Sequence, residues 1–370
     1  MSRPPLSIQT ETLADAVLSA RLPEGVVWHS AGQKQDGAML AADVRTMAGG
    51  LRAKGVKRGT RVGVQMTSSA QRLSVILALW SLGAIVVPLD PAIGALRMEH
   101  AARLARLGLL LHDADLPPAP ARESLVPTEL QGSPDAGNAI DPEDPALLLF
   151  DDRRHGVILS HAALLSAARG LALRYALGPA DRVAVPLPLN SSAFAGPVLA
   201  ALLSGAELVD PATASHLFVA DPAATATLVS APVPGAPRVV LACGDGRAIR
   251  ALGRIYPAAK ILNGWARAEL GGIALCSDPR DPAHTAHTTF GRPLPGIEVM
   301  IVDPQTGMDR LLYEIGEVWI RGKTTMLRYD RAPKVSAQAL DRTGFFHTGE
   351  MGFLDSEGRV ILTRDAHAQI

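Results

Sequence analysis

Arg61-Val-Gly-Val-Gln-Met66, then Ser69 to Leu82, then Ala84-Ile-Val-Val-Pro88, read in that order as strand, helix and strand. The first and last runs are short, apolar and rich in valine, and the middle run carries apolar residues at helical spacing, so the unit is a βαβ crossover. A crossover of this kind implies a parallel sheet covered by helices. Working outward, Met39 to Lys54 has helical spacing and Leu107 to His112 reads as the next strand, with Gly55, Gly59 and Gly83 marking turns. Residues Asp113 to Asp144 are rich in Pro, Ala and Asp without periodicity and are expected to form a surface connection. Ser160 is placed to cap a helix running to about Leu177, Val183 to Leu189 resembles a strand, and Gly196 to Ser204 a short helix.

A second α/β stretch follows, with strands expected at Leu217 to Val219, Arg238 to Ala242 and Lys260 to Leu262, and a helix from Gly246 to Ile255. After Gly291 the pattern changes to short alternating runs, Ile297 to Asp303, Glu317 to Arg321 and Arg359 to Leu362, which read as antiparallel strands. The expected fold class is therefore α/β: two α/β subdomains with parallel or mixed sheets, residues 1–205 and 206–290, and a small distorted antiparallel β-barrel over 291–370.

Composition narrows the function. The chain has 370 residues, and single cores seldom grow past roughly 250 to 300 residues, so several subdomains are expected. Lys plus Arg and Asp plus Glu are each 36, a net charge of zero, which argues against an electrostatic grip on nucleic acid or an anionic membrane. Two cysteines, Cys243 and Cys276, make neither a disulfide framework nor a paired zinc motif. No apolar run reaches the length of a membrane span and the N-terminus lacks a signal-peptide core, so a cytoplasmic protein is expected.

Leu51 to Val64, Ala78 to Pro91, Gly156-Val-Ile-Leu-Ser-His-Ala-Ala-Leu164, Gly291-Arg-Pro-Leu-Pro-Gly-Ile-Glu298, Ile301-Val-Asp-Pro-Gln-Thr-Gly307, Gly316-Glu-Val-Trp-Ile-Arg-Gly322 and Gly344-Phe-Phe-His-Thr-Gly-Glu350 fall in a fixed order. That order resembles the adenylate-forming enzymes, the acyl-CoA synthetases and non-ribosomal peptide adenylation domains, over nearly the whole chain. The resemblance implies the large N-terminal portion of their fold, and an acid-activating chemistry that forms an acyl-AMP from ATP.

Carried over residue by residue, it also implies a nucleoside pocket. Asn263-Gly-Trp-Ala-Arg-Ala-Glu269 stands where the family has a tyrosine, glycine, threonine and glutamate run; Trp265 is then a stacking surface for adenine and Glu269 a contact for magnesium, while Ala268 lacks the threonine hydroxyl. Cys243 and Gly244 resemble the segment on the adenine side, and Gly264 belongs with Asn190 to the acyl pocket, Asn190 standing where acyl-activating members often have a histidine. Glu350 replaces the aspartate that meets the ribose hydroxyls, and Arg364 resembles the arginine before the family's hinge.

Three departures set an expectation against full activity. Where the family carries Thr-Ser-Gly-Thr-Thr-Gly-x-Pro-Lys-Gly-Val, this chain has Leu147-Leu-Leu-Phe-Asp-Asp-Arg-Arg-His-Gly-Val157. The glycines that let backbone N–H groups close on a polyphosphate are gone, and Asp151 and Asp152 would repel one. The region between Val209 and Arg238 looks shorter than in working relatives, which implies a reshaped acyl pocket. The C-terminal domain and its catalytic lysine are expected to be missing. The first reading is thus a degenerate, non-catalytic member that binds an acyl or aryl ligand, a nucleoside or a protein partner such as a carrier protein or related biosynthetic enzyme. AMP or adenosine is expected to be preferred over ATP with magnesium. Two others stay open: an acyl-AMP ligase or acyl-CoA synthetase completed by a separate C-terminal domain, and an interaction scaffold.

Overall fold

The computed structural model describes residues 12–19, 26–30, 33–67, 70–91, 94–130, 132–135, 137–151 and 153–363. Asp152 and Arg364 lie outside them.

The βαβ unit lies at the centre of a seven-stranded sheet. Arg61–Gln65 pairs in parallel with Ile85–Pro88 on one side and Leu109–His112 on the other. Pro145–Phe150 extends the sheet beyond Ile85–Pro88, Gly156–Ser160 returns antiparallel to it, and Arg328–Tyr329 closes that edge. The helix between the two central strands, Ala70–Ser81, is buried at every position from Arg72 to Ser81, as a helix caught between two layers must be. Its Trp80 donates from Nε1 to the carbonyl of Ala146 at 2.9 Å.

A second sheet of nine strands runs in the order Arg292–Pro293, Gly272–Cys276, Lys260–Arg267, Val239–Ala242, His216–Val219, Arg182–Ala184, Glu207–Val209, Val26–Ser30 and Gln33–Asp36. Its middle strands are parallel and both ends turn antiparallel. Four antiparallel strands, Ile297–Val302, Gly316–Gly322, Phe346–Leu354 and Val360–Leu362, make the third layer. The sheets cross the boundaries drawn at 205 and 290: strands near residues 26–36 and 182–184 join the second sheet, and so does Arg292–Pro293. At Gly291, φ is 76° and a Cβ would lie 2.1 Å from the carbonyl carbon of Cys276, so only glycine lets the chain step between the second and third layers here.

Several local expectations shift. The strand expected over Val183 to Leu189 stops at Ala184, because Pro186 and Pro188 have no N–H to give a ladder. Lys260 to Leu262 lengthens to Arg267. The connection over 113–144 contains the short edge strand Glu123–Leu125 and one 3-10 turn, Pro127–Glu129.

A bidentate pair ties the distant 328–330 segment to the first sheet: Arg61 Nη2 and Nη1 donate to Asp330 at 2.6 and 3.0 Å. Burial pushes the Asp330 carboxyl upward, but hydrogen bonds from Arg61 and Arg331 outweigh it and hold the group below the usual carboxylate range.

His161 opens the helix His161–Tyr175, which Ser160 caps through its hydroxyl to Ala163 N at 3.1 Å, as expected. The His161 ring is fully buried; Nδ1 accepts from Leu13 N at 3.4 Å and Nε2 has no partner. Burial lowers its pKa to about 4, against the upward pull of Asp144 and Asp15. The folded protein therefore keeps this ring neutral where the unfolded chain protonates it, near pH 6.5. Stability is expected to be flat in this respect above pH 6.5 and to fall from there towards pH 4. Urea unfolding of wild type and His161→Leu across that window checks it: equal slopes with pH would overturn the assignment.

Candidate functional site

The segment in place of the phosphate loop is a tight hairpin. Pro145–Phe150 and Gly156–Ser160 pair antiparallel up to Phe150 against Gly156, and the turn between them folds on itself. Asp151 N donates to His155 O at 3.0 Å, Arg154 N to Asp151 O at 2.9 Å, and His155 N to Asp151 Oδ1 at 2.6 Å. Asp151 Oδ2 lies 3.1 Å from His155 Nδ1. Arg154 takes φ 66° without being glycine. The amides of Asp151, Arg154 and His155 are thus spent inside the turn, where an anion would need them pointing outward.

This turn borders a cleft of about 610 Å³, within the size range of small-molecule sites, roughly 300 to 1,000 Å³. Arg97 and His100 reach it from the helix Ala95–Ala105, Arg154 from the turn, and Asn190 from the loop after the Arg182–Ala184 strand, over an apolar floor that includes Leu149 and Phe150. Asn190 Oδ1 is buried there without a hydrogen-bond partner.

The remaining expected site residues sit on or beside the Lys260–Arg267 strand and line neither this cleft nor the other large one. Asn263 is a clamp. Its Oδ1 accepts from Gly244 N at 3.3 Å and Gly264 N at 3.0 Å; its Nδ2 donates to Gly244 O at 3.1 Å and Thr289 O at 3.4 Å. Cys243 is buried and its N–H donates to Thr225 Oγ1 at 3.1 Å. Trp265 is 3% exposed, and the Arg267 guanidinium lies over its ring at 5.4 Å. The same guanidinium holds Glu350 Oε1 at 2.5 Å. A base stacked on Trp265 and a ribose on Glu350 would both have to displace Arg267.

Glu269 is buried and accepts from the Tyr329 hydroxyl at 2.9 Å. Burial first, and then the Glu269 charge, pushes the Tyr329 phenol far above its ordinary value, so it remains a donor. Tyr329 also lies 5.2 Å from the His155 ring, which joins Glu269 to the turn. Among the described residues no three His, Cys, Asp or Glu side chains converge to hold a metal. Tyr329 engages one of the two Glu269 carboxylate oxygens, and a magnesium ion there would take most of its oxygen ligands from phosphate and water.

Tyr329, Arg267, Arg97 and His100 were not legible as site residues. Tyr329 sits in a two-residue strand that pairs with Val157, far away in sequence, and Arg97 and His100 belong to the helix Ala95–Ala105, which the sequence reading did not assign. Arg267 stands next to Ala268 in the quoted run, and its reach to Glu350 depends on the third layer's position.

A family model described as AMP-binding enzyme matches residues 18–330. The chain belongs to this family. Among relatives of the AMP-binding family, pyochelin synthetase PchE of Pseudomonas aeruginosa is 28% identical over 348 residues, 85% of this chain and 24% of that protein. Sulfoacetate–CoA ligase of Cupriavidus necator is 26% identical, over 86% of this chain and 70% of the ligase. The chain spans about a quarter of the synthetase. Solved AMP-binding folds agree: a long-chain-fatty-acid-CoA ligase (FadD1) from Archaeoglobus fulgidus superposes with TM-score 0.87 at 22% identity, covering 98% of this chain and 85% of that one. The Klebsiella oxytoca NpsA N-terminal subdomain gives 0.82 at 21% identity, over 95% and 100%. Among the described residues no helix is long and apolar enough to cross a membrane.

Proposed function

We propose that this chain is a degenerate AMP-binding family member that binds a small acid with an acyl or aryl body and has little or no adenylation activity. The observation that carries this reading is the turn after Phe150, in which the amides of Asp151, Arg154 and His155 are bonded internally where the family's loop grips phosphates. The acid belongs in the adjoining cleft: Arg97 and Arg154 supply two positive charges against the one negative charge of Asp151, and Leu149 and Phe150 an apolar wall. AMP or adenosine is the nucleotide class this reading favours, since neither asks for triphosphate donors. A carrier-protein or biosynthetic-enzyme partner is part of this reading, and the fold likeness to NpsA-ThdA, a fused Adenylation-PCP di-domain from Klebsiella oxytoca, supports it.

Calorimetry with a panel of aliphatic and aromatic acids is the test. Binding is expected for wild type and to weaken at least tenfold in Arg154→Ala and Arg97→Ala, since each loses a charge-assisted contact worth roughly 1.5 to 3 kcal/mol. AMP is expected to bind no more weakly than ATP with magnesium. Heat from none of the acids or nucleotides would favour the scaffold reading, and tighter binding of ATP would favour a working ligase.

A further inference from the structure

The loop at 185–190 is a partition. Asn190 lines the first cleft, and Val185 to Pro188 line a second, about 570 Å³, bordered also by Trp28, Arg72, Asp90, Phe194, Val198 and Leu208. Its walls come from the carboxyl ends of four parallel strands. Thr67 follows Arg61–Gln65, Asp90 follows Ile85–Pro88, Val185 and Pro186 follow Arg182–Ala184, and Asp210 follows Glu207–Val209. Open α/β sheets take ligands outside these ends, where successive loops converge over rigid walls. A narrow apolar slot of about 40 Å³ continues inward between Leu73, Ile76, Trp80, Leu147 and Leu199.

The charges on the floor decide the ligand class. Arg72 is 4% exposed, lies over the Phe194 ring at 4.9 Å, and donates to Met66 O at 3.4 Å. Burial lowers the guanidinium to about 10 while Asp90 and Asp113 pull it up, so it stays charged at neutral pH. Asp90 is also buried, and its Oδ2 accepts from Leu189 N at 2.8 Å. The exposed Asp210 adds negative charge at the mouth. The border of the cleft thus carries one buried cation and one buried anion. A carboxylate ligand would gain Arg72 and meet Asp90; an ammonium ligand would do the reverse. A neutral carbonyl accepts from Arg72 and adds no charge.

We propose that this second cleft binds an uncharged molecule with a ring or branched apolar body and a carbonyl head, such as a carboxamide. The body packs between Trp28 and Phe194 with its tip toward the slot, and the carbonyl faces Arg72.

Full-length protein labelled with 5-fluorotryptophan gives four fluorine resonances, one per tryptophan, and Trp28→Phe assigns the one in the cleft. Cyclohexanecarboxamide is expected to shift the Trp28 signal saturably, with cyclohexanecarboxylate and cyclohexylmethylamine at least tenfold weaker. Arg154→Ala, which removes one of the two arginines of the first cleft, is expected to leave this response unchanged, so failure of the acid site and failure of this one are separable. Val198→Phe, which fills the cleft, is expected to abolish the shift; if that variant does not fold, Arg72→Met must erase the preference for the amide over methylcyclohexane. A charged probe that binds as tightly as the amide overturns the proposal. So does no saturable shift with any probe, or full binding by folded Val198→Phe.

Discussion

Incubated with ATP, labelled pyrophosphate and any of a panel of fatty, aryl or amino acids, the protein is expected to return no label to ATP above background. The argument runs through individual backbone groups. Acyl adenylation gathers negative charge at the transferred phosphate, and a preorganised donor aimed at such charge is worth about 10²- to 10³-fold in rate. Here the amides of Asp151, Arg154 and His155 are committed to oxygens of the turn itself. Reclaiming one of them would break the hairpin, and the Asp151 carboxylate would still face the phosphates. Loss of two or three donors takes exchange down by four orders of magnitude or more on the same arithmetic. Robust exchange with any acid defeats this reading. The rival, a ligase completed in trans, is tested by adding a separately produced C-terminal domain from a related ligase: exchange restored to within a hundredfold of that ligase supports the rival.

Asn263→Leu is expected to lower stability by roughly 4 kcal/mol, about 1 kcal/mol for each of four hydrogen bonds. The cost arises because leucine leaves the half-buried N–H and carbonyl of Gly244 and the buried N–H of Gly264 and carbonyl of Thr289 without their partner. Asn263→Asp keeps the two accepted bonds but sets a charge against two carbonyl oxygens, so it is expected to fall between wild type and leucine at neutral pH. Urea midpoints at fixed m-value measure both. Unchanged midpoints would return Asn263 to the ligand pocket that the family resemblance implies.

The central sheet was legible because its signal is local. Between Gly37 and His112 each strand is a short valine- or leucine-rich run and each helix shows its own period, so neighbours in sequence are neighbours in space. The turn at 151–155 was legible for the same reason: five residues between two apolar strands leave little room for anything else. Around the Lys260–Arg267 strand the contacts that fix each side chain are not local. Asn263 looked like a pocket residue, yet its amide is set by two segments, near 244 and 289, that meet it only in the folded chain. Trp265 looked like a platform for a base, and nothing in its run reveals that Arg267 turns back over the ring to reach Glu350. The first cleft touches quoted sequence at Asp151, Arg154 and Asn190; the second has no motif, because it is assembled from the ends of several strands.

The edge strand Arg328–Tyr329 has a consequence for biosynthesis. A chain made from its N-terminus exposes Gly156–Ser160 to solvent as a raw edge until residue 329 has left the ribosome. Strand edges of that kind recruit the wrong partners. Nascent chains halted with residue 329 still inside the ribosome will therefore bind holdase chaperones more strongly than chains halted once residue 331 has emerged, when Arg61 can take Asp330 and seal the sheet.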